Sequence, residues 1–299
     1  MKRVLASHLD RGLSWLIRGR DRRASHVLLA PATVWLAVFL VLPLAWLIAL
    51  SFIRSGPYGS FIWSFNLQNY ARALDAKYLP VVLRTLAYAG AATGLCLLLG
   101  FPLAYFISFY AGRWKDRLLI LLMIPFWTSS LVAIYCWMII LGQEGLLNSL
   151  LMTLRLIDEP LNLLNTPFAV ILGLAYFYLP FMVLPLYGSL EKIPRNYLEA
   201  SYDLGAGAFR TFFKVTLPLS LPGVVAGCIL TFVPCLGDFL TASFLGGPDS
   251  YLLGNLIENQ FLMGQDWPFG AALTALLLVC MAGGMALYRR LEAQESWQR

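Results

Sequence analysis

Six long stretches of the chain carry almost no charge, and they set the first expectation. Read between charged residues, they run over 24–53, 85–112, 118–143, 160–190, 215 to about 245, and 267–288. A helix that crosses a bilayer needs about 20 mostly apolar residues, so each stretch is long enough. The runs are continuously apolar and lack the roughly ten-residue alternating segments of outer-membrane barrels. The pattern therefore predicts an all-α membrane protein with six transmembrane helices. Within the six stretches the one charged residue is Asp238, in the fifth.

Composition agrees: of 299 residues, 59 % are hydrophobic and 13 % charged, against about 25 % charged in an average soluble domain. A soluble enzyme is excluded on that ground. Cytoplasmic segments of membrane proteins retain an excess of Lys and Arg. Here the N-terminal arm holds Lys2, Arg3, Arg11, Arg18, Arg20, Arg22 and Arg23, and further basic residues cluster at 113–117, 191–220 and the tail. The intervening segments hold Arg54, Arg72, Lys77, Arg84 and Arg155, and the last of them has Asp249, Glu258 and Asp266 without a basic residue. Both termini are expected in the cytoplasm. The net charge of +6 is thus a topology signal, and no basic groove with interleaved aromatics points to nucleic acid.

The expected organisation is a basic arm over 1–25, a six-helix domain over 26–290 and a cytoplasmic tail over 291–299. The arm precedes the first apolar run without a small-residue cleavage site, so it is read as retained rather than as a signal peptide. Its Leu5, Leu9, Leu13, Trp15, Leu16 and Ile17 alternate with basic residues, a pattern that fits either a helix on an anionic lipid leaflet or a solvated tail.

Catalytic and metal signatures are missing from the sequence. It has no GxSxG, no HExxH and no Gly-Lys pair, so no Walker A phosphate loop is encoded. The five cysteines lie in apolar runs without CxxC spacing and read as small packing residues. Gly90 with Gly94 and Gly223 with Gly227 form small-xxx-small pairs, expected to bring helices 2 and 5 close to their neighbours. Pro180, Pro185 and Pro234 each remove a helix hydrogen bond and are expected to bend helices that line a path or simply pack.

The segment from Glu191 to Ser220 is longer than the 2–8 residues usual between packed helices. Leu198, Ala200, Ser201, Tyr202 and Leu204 favour a short helix, Gly205 and Gly207 a break, and Phe209, Phe212 and Phe213 with Arg210 and Lys214 a second amphipathic turn before Pro218. Such a projection suits a groove on a partner protein.

Glu199-Ala200-Ser201, Gly205 and Val215-x-Leu217-Pro218 resemble, in register, the EAA motif of ABC importer permeases, with Ser201 and Val215 as mild departures. That resemblance implies the type I ABC importer (MetI-like) fold in a bacterial inner membrane, and a coupling helix seated in a cleft of a separate ATPase. It implies a second homologous permease subunit, two ATPase subunits that bind the ATP and Mg, and a periplasmic substrate-binding protein, with no cofactor on this chain and no catalysis by it. Pro125-Phe-Trp127-Thr-Ser-Ser, Leu179 to Tyr187, Leu236-Gly-Asp238-Phe, Leu245-Gly-Gly, Gly254 to Phe261 and Asp266 to Gly270 resemble the first permease subunit of the spermidine/putrescine subfamily. Polyamine import is the substrate class this implies. Permeases for ferric iron, phosphonate or sulfate share the coupling motif and form the alternative, and a secondary transporter is a weaker one because no inverted halves are evident.

A polyamine path needs carboxylates, carbonyls and aromatic faces to replace the water lost by each ammonium. Asp238 is the leading candidate, since an intramembrane acid is costly without a role. Reckoned at about 1.5 Å per residue from Pro218, it falls about 30 Å along helix 5, in the outer part of the membrane. It could equally be a solvated residue at the helix end or the partner of a basic group. Trp127, Tyr135 and Phe239 are placed near the path, and Glu258 and Asp266 are read as outer-loop acids free of basic neighbours. These two could receive a cationic substrate, contact a binding protein, or simply be solvated.

Overall fold

The computed structural model describes residues 29–56 and 60–296, with side chains through residue 286. The predicted arm, 1–25, lies outside the described residues. Helix α1 (Leu29–Ser51) is apolar all round and largely exposed, as a helix at a lipid boundary can be. A hairpin, β1 (Arg54–Ser55) and β2 (Phe61–Ile62), pairs Arg54 with Ile62 and Ser55 with Phe61 in antiparallel register. Then come α2 (Gln68–Ala73), α3 (Leu79–Phe109), α4 (Lys115–Trp127), α5 (Ser130–Leu141), α6 (Leu146–Thr153) and α7 (Pro167–Leu190). The remainder is α8 (Arg195–Asp203), α9 (Ala208–Thr211), α10 (Leu217–Gly237), α11 (Leu240–Leu245), α12 (Leu253–Leu262) and α13 (Trp267–Ser296).

Among the described residues six candidate spans are long and apolar enough to cross a membrane, matching the expected number, but two of the expected helices are divided. The run 118–143 is not one helix: Thr128 (ψ 153°) and Ser129 (ψ 129°) are extended, which ends α4 and starts α5. Here the third candidate span is Ser130–Thr153, made of α5 and α6. Likewise the fifth run does not continue to about 245. Asp238 is extended (ψ 122°), so α10 stops at Gly237 and α11 begins at Leu240. An apolar run reports lipid or core compatibility and says nothing of where backbone hydrogen bonding is interrupted. α13 continues through the expected boundary at 290.

The centre of the bundle is the trio α3, α7 and α10. One apolar cluster joins Ala89, Ala92, Leu174, Cys235 and Leu236, with Ile134 and Leu245 from the flanking helices. A second joins Cys96, Phe101, Met182, Val183, Leu186 and Leu190 toward the end that carries α8 and α9. Gly223 and Gly227 make this close approach feasible. A Cβ at Gly223 would come within 2.7 Å of the Pro185 carbonyl, and at Gly227 within 2.9 Å of the Met182 carbonyl. Gly90 and Gly94 behave differently from expectation, because nothing lies within 4 Å of either Cβ position. Their face of α3 is exposed rather than packed against a neighbour within the chain. α7 remains helical through Pro180 and Pro185.

At the end opposite α8, side chains tie the peripheral elements down. Asn69 donates to the Ser51 and Ile53 carbonyls (3.0 and 2.8 Å), closing the end of α1. Arg72 pairs with Asp266 at 3.0 Å and lies 4.2 Å over the Phe269 ring.

Candidate functional site

Where α10 breaks, the Asp238 side chain takes up the backbone it interrupts. Its Oδ1 accepts from the Thr241 N–H at 2.9 Å, capping the first turn of α11. Its Oδ2 accepts from the Tyr178 hydroxyl at 3.0 Å. Tyr178 is inside α7, and Thr241 and Leu245 beyond the break pack over Gly173 of the same helix. Asp238 therefore sits at a helix end that is itself inside the bundle, with α11 and the first turns of α7 continuing past it. None of the ion pairs among the described residues involves Asp238.

Two cavities meet at this carboxylate. One, of about 390 Å³, runs between α4, α5 and α7 and is lined by Thr128, Ser130, Phe177, Tyr178, Phe181 and Asp238. The other, of about 480 Å³, is lined by Tyr178, Pro234, Gly237, Asp238, Phe239 and Met281. Both present a carboxylate, a phenol and aromatic faces with no cationic side chain in the wall. Such walls can replace part of the hydration shell of an alkylammonium ion.

The other expected path residues separate. Phe239 lines the second cavity beside Asp238. Tyr135 is half exposed, with its ring 5.7 Å from that of Phe244. Trp127, the last residue of α4, is 71 % exposed and lines neither cavity. Glu258 belongs to a third cavity between α11 and α12. Asp266 is not free of basic neighbours: Arg72, remote in sequence, pairs with it, and Asp266 Oδ1 also accepts from the Phe269 N–H at 3.3 Å. Sequence reasoning missed Tyr178 and Thr241. Their one available signal was a polar group within an apolar run, shared with many other residues.

The long segment between α7 and α10 folds as helix, turn, helix. α8 ends at Asp203, and Gly205 turns the chain with φ +77°, a left-handed conformation that glycine adopts without strain. The Gly205 N–H donates to the Tyr202 carbonyl (2.8 Å) and the Ala206 N–H to the Ser201 carbonyl (3.1 Å). This pair of bonds is a Schellman termination. Ser201 and Thr211 share a 2.9 Å hydroxyl hydrogen bond that pins α8 to α9. Phe212 turns inward against Phe101 and Tyr105, whereas Glu199, Ala200, Tyr202, Leu204 and Phe209 are exposed. Leu204 and Phe209 are 88 % and 79 % exposed, so apolar surface is held outward on a constrained scaffold. Val215 and Leu217 are half-buried and Pro218 is exposed at the start of α10. Lys115 and Glu191 form an ion pair at the root of this segment, with Lys115 also 4.9 Å over the Tyr187 ring. Arg195 donates to the Phe109 carbonyl at 3.3 Å.

Residues 97–295, which contain both the exposed segment and the Asp238 break, match the family described as binding-protein-dependent transport system inner membrane component. The chain belongs to this family. The permease is 41 % identical over 256 residues to the spermidine/putrescine transport system permease protein PotB of Haemophilus influenzae, covering 86 % of this chain and 90 % of that protein. It is 43 % identical over 256 residues to the protein of the same name from Escherichia coli (strain K12), covering 86 % and 93 %. Among solved structures it resembles a bacterial alginate ABC transporter in complex with an alginate-pentasaccharide-bound periplasmic protein, at 19 % identity and a TM-score of 0.69, with 93 % and 97 % covered. The MetNI methionine transporter resembles it at 18 % identity and a TM-score of 0.53, with 73 % and 97 % covered. At these identities the solved structures show the fold alone: that of a type I ABC importer permease. The expected family and six-span inner-membrane architecture are borne out.

Proposed function

We propose that this permease is one of two homologous membrane subunits of an importer for polyamines, spermidine and putrescine among them. A periplasmic binding protein delivers the substrate. Two ATPase subunits, which bind ATP and Mg, grip the α8–α9 projection and its counterpart on the second permease. Both termini lie in the cytoplasm, as the basic clusters suggest. This chain catalyses no reaction and holds no cofactor.

The observation that carries the reading is the Asp238 carboxylate, set inside the bundle between two cavities without a cationic partner among the described residues. An unpaired acid in such a setting costs several kcal/mol unless hydrogen-bonded or met by a cation. Tyr178 and the Thr241 N–H supply part of that compensation, and a passing ammonium supplies the rest. An anion path calls for Arg or Lys in the walls, and none lines either cavity.

Gly205 and the Schellman bonds hold Leu204 and Phe209 outward, supporting a docking role for Glu199, Ala200, Ser201 and Gly205. Val215 leads from that projection into Leu217 and Pro218, the first residues of α10, which ends just before Asp238. Movement of the ATPases thus has a direct helical route to the charged joint.

The test is ATP-dependent uptake of labelled spermidine and putrescine into proteoliposomes holding the co-purified complex, with and without the binding protein. Uptake that requires both ATP and the binding protein is the expected result. A complex that hydrolyses ATP in response to its binding protein yet moves neither polyamine would overturn the substrate assignment.

A further inference from the structure

A third cavity, of about 560 Å³, opens between α11 and α12 on the side of the Asp238 break away from the α8–α9 projection. Its wall includes Ser243, Tyr251, Asn255, Glu258, Asn259 and Leu262, and no Lys or Arg. Glu258 is half-buried and takes part in none of the ion pairs among the described residues. Hydroxyl and amide oxygens around one carboxylate can accept the several hydrogen bonds that an ammonium group donates, and Leu262 offers apolar surface for attached methylenes.

This cavity is joined to Asp238 through a single helix end. A Cβ at Gly254 would lie 2.9 Å from both the Gly237 and the Asp238 carbonyl, so the first turn of α12 rests directly on the break. Asn255, 6 % exposed, donates to the Phe239 carbonyl at 2.9 Å and to the Ser243 hydroxyl at 2.6 Å, while its Oδ1 accepts from the Leu252 N–H at 3.1 Å. Phe239 lines the Asp238 cavity, and Ser243 lines the Glu258 cavity. Asn255 is therefore the fixed partition between the two. Glu258 stands one helical turn beyond Gly254, about 6 Å along the axis.

We propose that the Glu258 cavity is a second ammonium subsite, which receives a charged end of an oligoamine on the side of the Asn255 partition away from Asp238. The proposal rests on the polyamine reading above. It accounts for two carboxylates without cationic partners among the described residues on either side of one rigid partition, each offering an ammonium group its own station.

The experiment uses the complete complex in proteoliposomes at saturating spermidine-loaded binding protein, with Glu258→Gln and Glu258→Asp. Equilibrium binding of labelled spermidine to the detergent-purified complex is measured in parallel without binding protein. Loss of one charge-assisted contact is expected to lower uptake and binding about tenfold in Glu258→Gln. Glu258→Asp should stay within about twofold of the parent because it keeps the charge. Docking of the binding protein, measured on immobilised complex, should be unchanged in both. Parent-level uptake and binding in Glu258→Gln would overturn the subsite, and so would a defect traced to weakened docking, which would make Glu258 a partner contact. Failure of the unsubstituted complex to move spermidine would instead overturn the substrate reading.

Discussion

On the α8 side of Met182, helices α7 and α10 meet backbone to backbone; on the other side α10 breaks at a carboxylate and α7 continues against α11. In the first region Gly223 and Gly227 sit so close to the Pro185 and Met182 carbonyls that no side chain fits. In the second, Gly173 meets only the ends of the Thr241 and Leu245 side chains, and cavities border Asp238. The two regions differ in construction: the first is a close seam between two continuous helices, and the second holds a helix break whose carboxylate is bordered by cavities. Packed interiors transmit displacement, whereas interrupted helices localise it.

The largest effect should come from filling the close seam. Gly223→Ala with Gly227→Ala forces a Cβ against backbone carbonyls that cannot move aside, and overpacking of this kind costs about 1–3 kcal/mol at each site. The expected result is failure to recover assembled permease, or a strongly lowered thermal midpoint. Gly90→Ala with Gly94→Ala, where the space within the chain is open, should leave the folding of this chain unchanged. Equal loss in both pairs would erase the contrast between the close seam and the exposed face of α3.

Next comes Asp238→Asn. Asparagine caps a helix about as well as aspartate, so the α10–α11 break should persist while the charge is lost. Spermidine uptake should fall at least about tenfold, the worth of roughly one charge-assisted interaction, with the complex still assembled on size-exclusion chromatography. Asp238→Ala should add a loss of thermal stability of about 1 kcal/mol from the missing cap.

Gly205→Ala tests the projection alone. Holding a Cβ in the left-handed region costs about 1–2 kcal/mol, so the turn relaxes and Leu204 and Phe209 move off the positions proposed for docking. Binding-protein-stimulated ATP hydrolysis should drop severalfold, with little change in the thermal midpoint of the membrane helices.

The smallest effect belongs to Lys115→Met. The hydrogen bond from Lys115 holds the Glu191 carboxyl below its ordinary range, and the bond to Glu191 holds the Lys115 ammonium above its own. The Glu191 contribution is thus present at neutral pH and lost as pH falls through its lowered folded value. The Lys115 contribution is lost as pH rises through its raised one. Both ends lie at the surface and are partly solvated, so removing the pair should cost under about 1 kcal/mol. Stability between neutral and mildly acidic pH, followed by thermal denaturation, should then lack the small acid-side decline of the parent.

Charge-free runs were enough to expose six spans, because crossing lipid demands composition and length. The breaks at Thr128–Ser129 and Asp238 were hidden for the same reason: an apolar run does not record where a helix stops. Gly205 was legible, since a glycine between two short amphipathic segments signals a left-handed turn. So was Asp238, the lone charge in its stretch. Its partner Tyr178 was not, because one phenol among 14 tyrosines carries no mark of the carboxylate it faces. The Arg72–Asp266 pair also needed the fold, since no local pattern joins residues that far apart. Gly90 with Gly94 and Gly223 with Gly227 look alike in sequence and differ in the structure, as spacing shows that a helix can be approached and not which side is.

The central claim is that driving and conducting functions lie in separable regions, and it is tested most directly by measuring ATP hydrolysis and spermidine uptake together in the same proteoliposomes carrying Asp238→Asn. The account predicts hydrolysis stimulated by the loaded binding protein close to the parent rate while uptake falls at least about tenfold, so that fewer molecules move per ATP. Hydrolysis and uptake falling in parallel, or uptake remaining at the parent level, would contradict it.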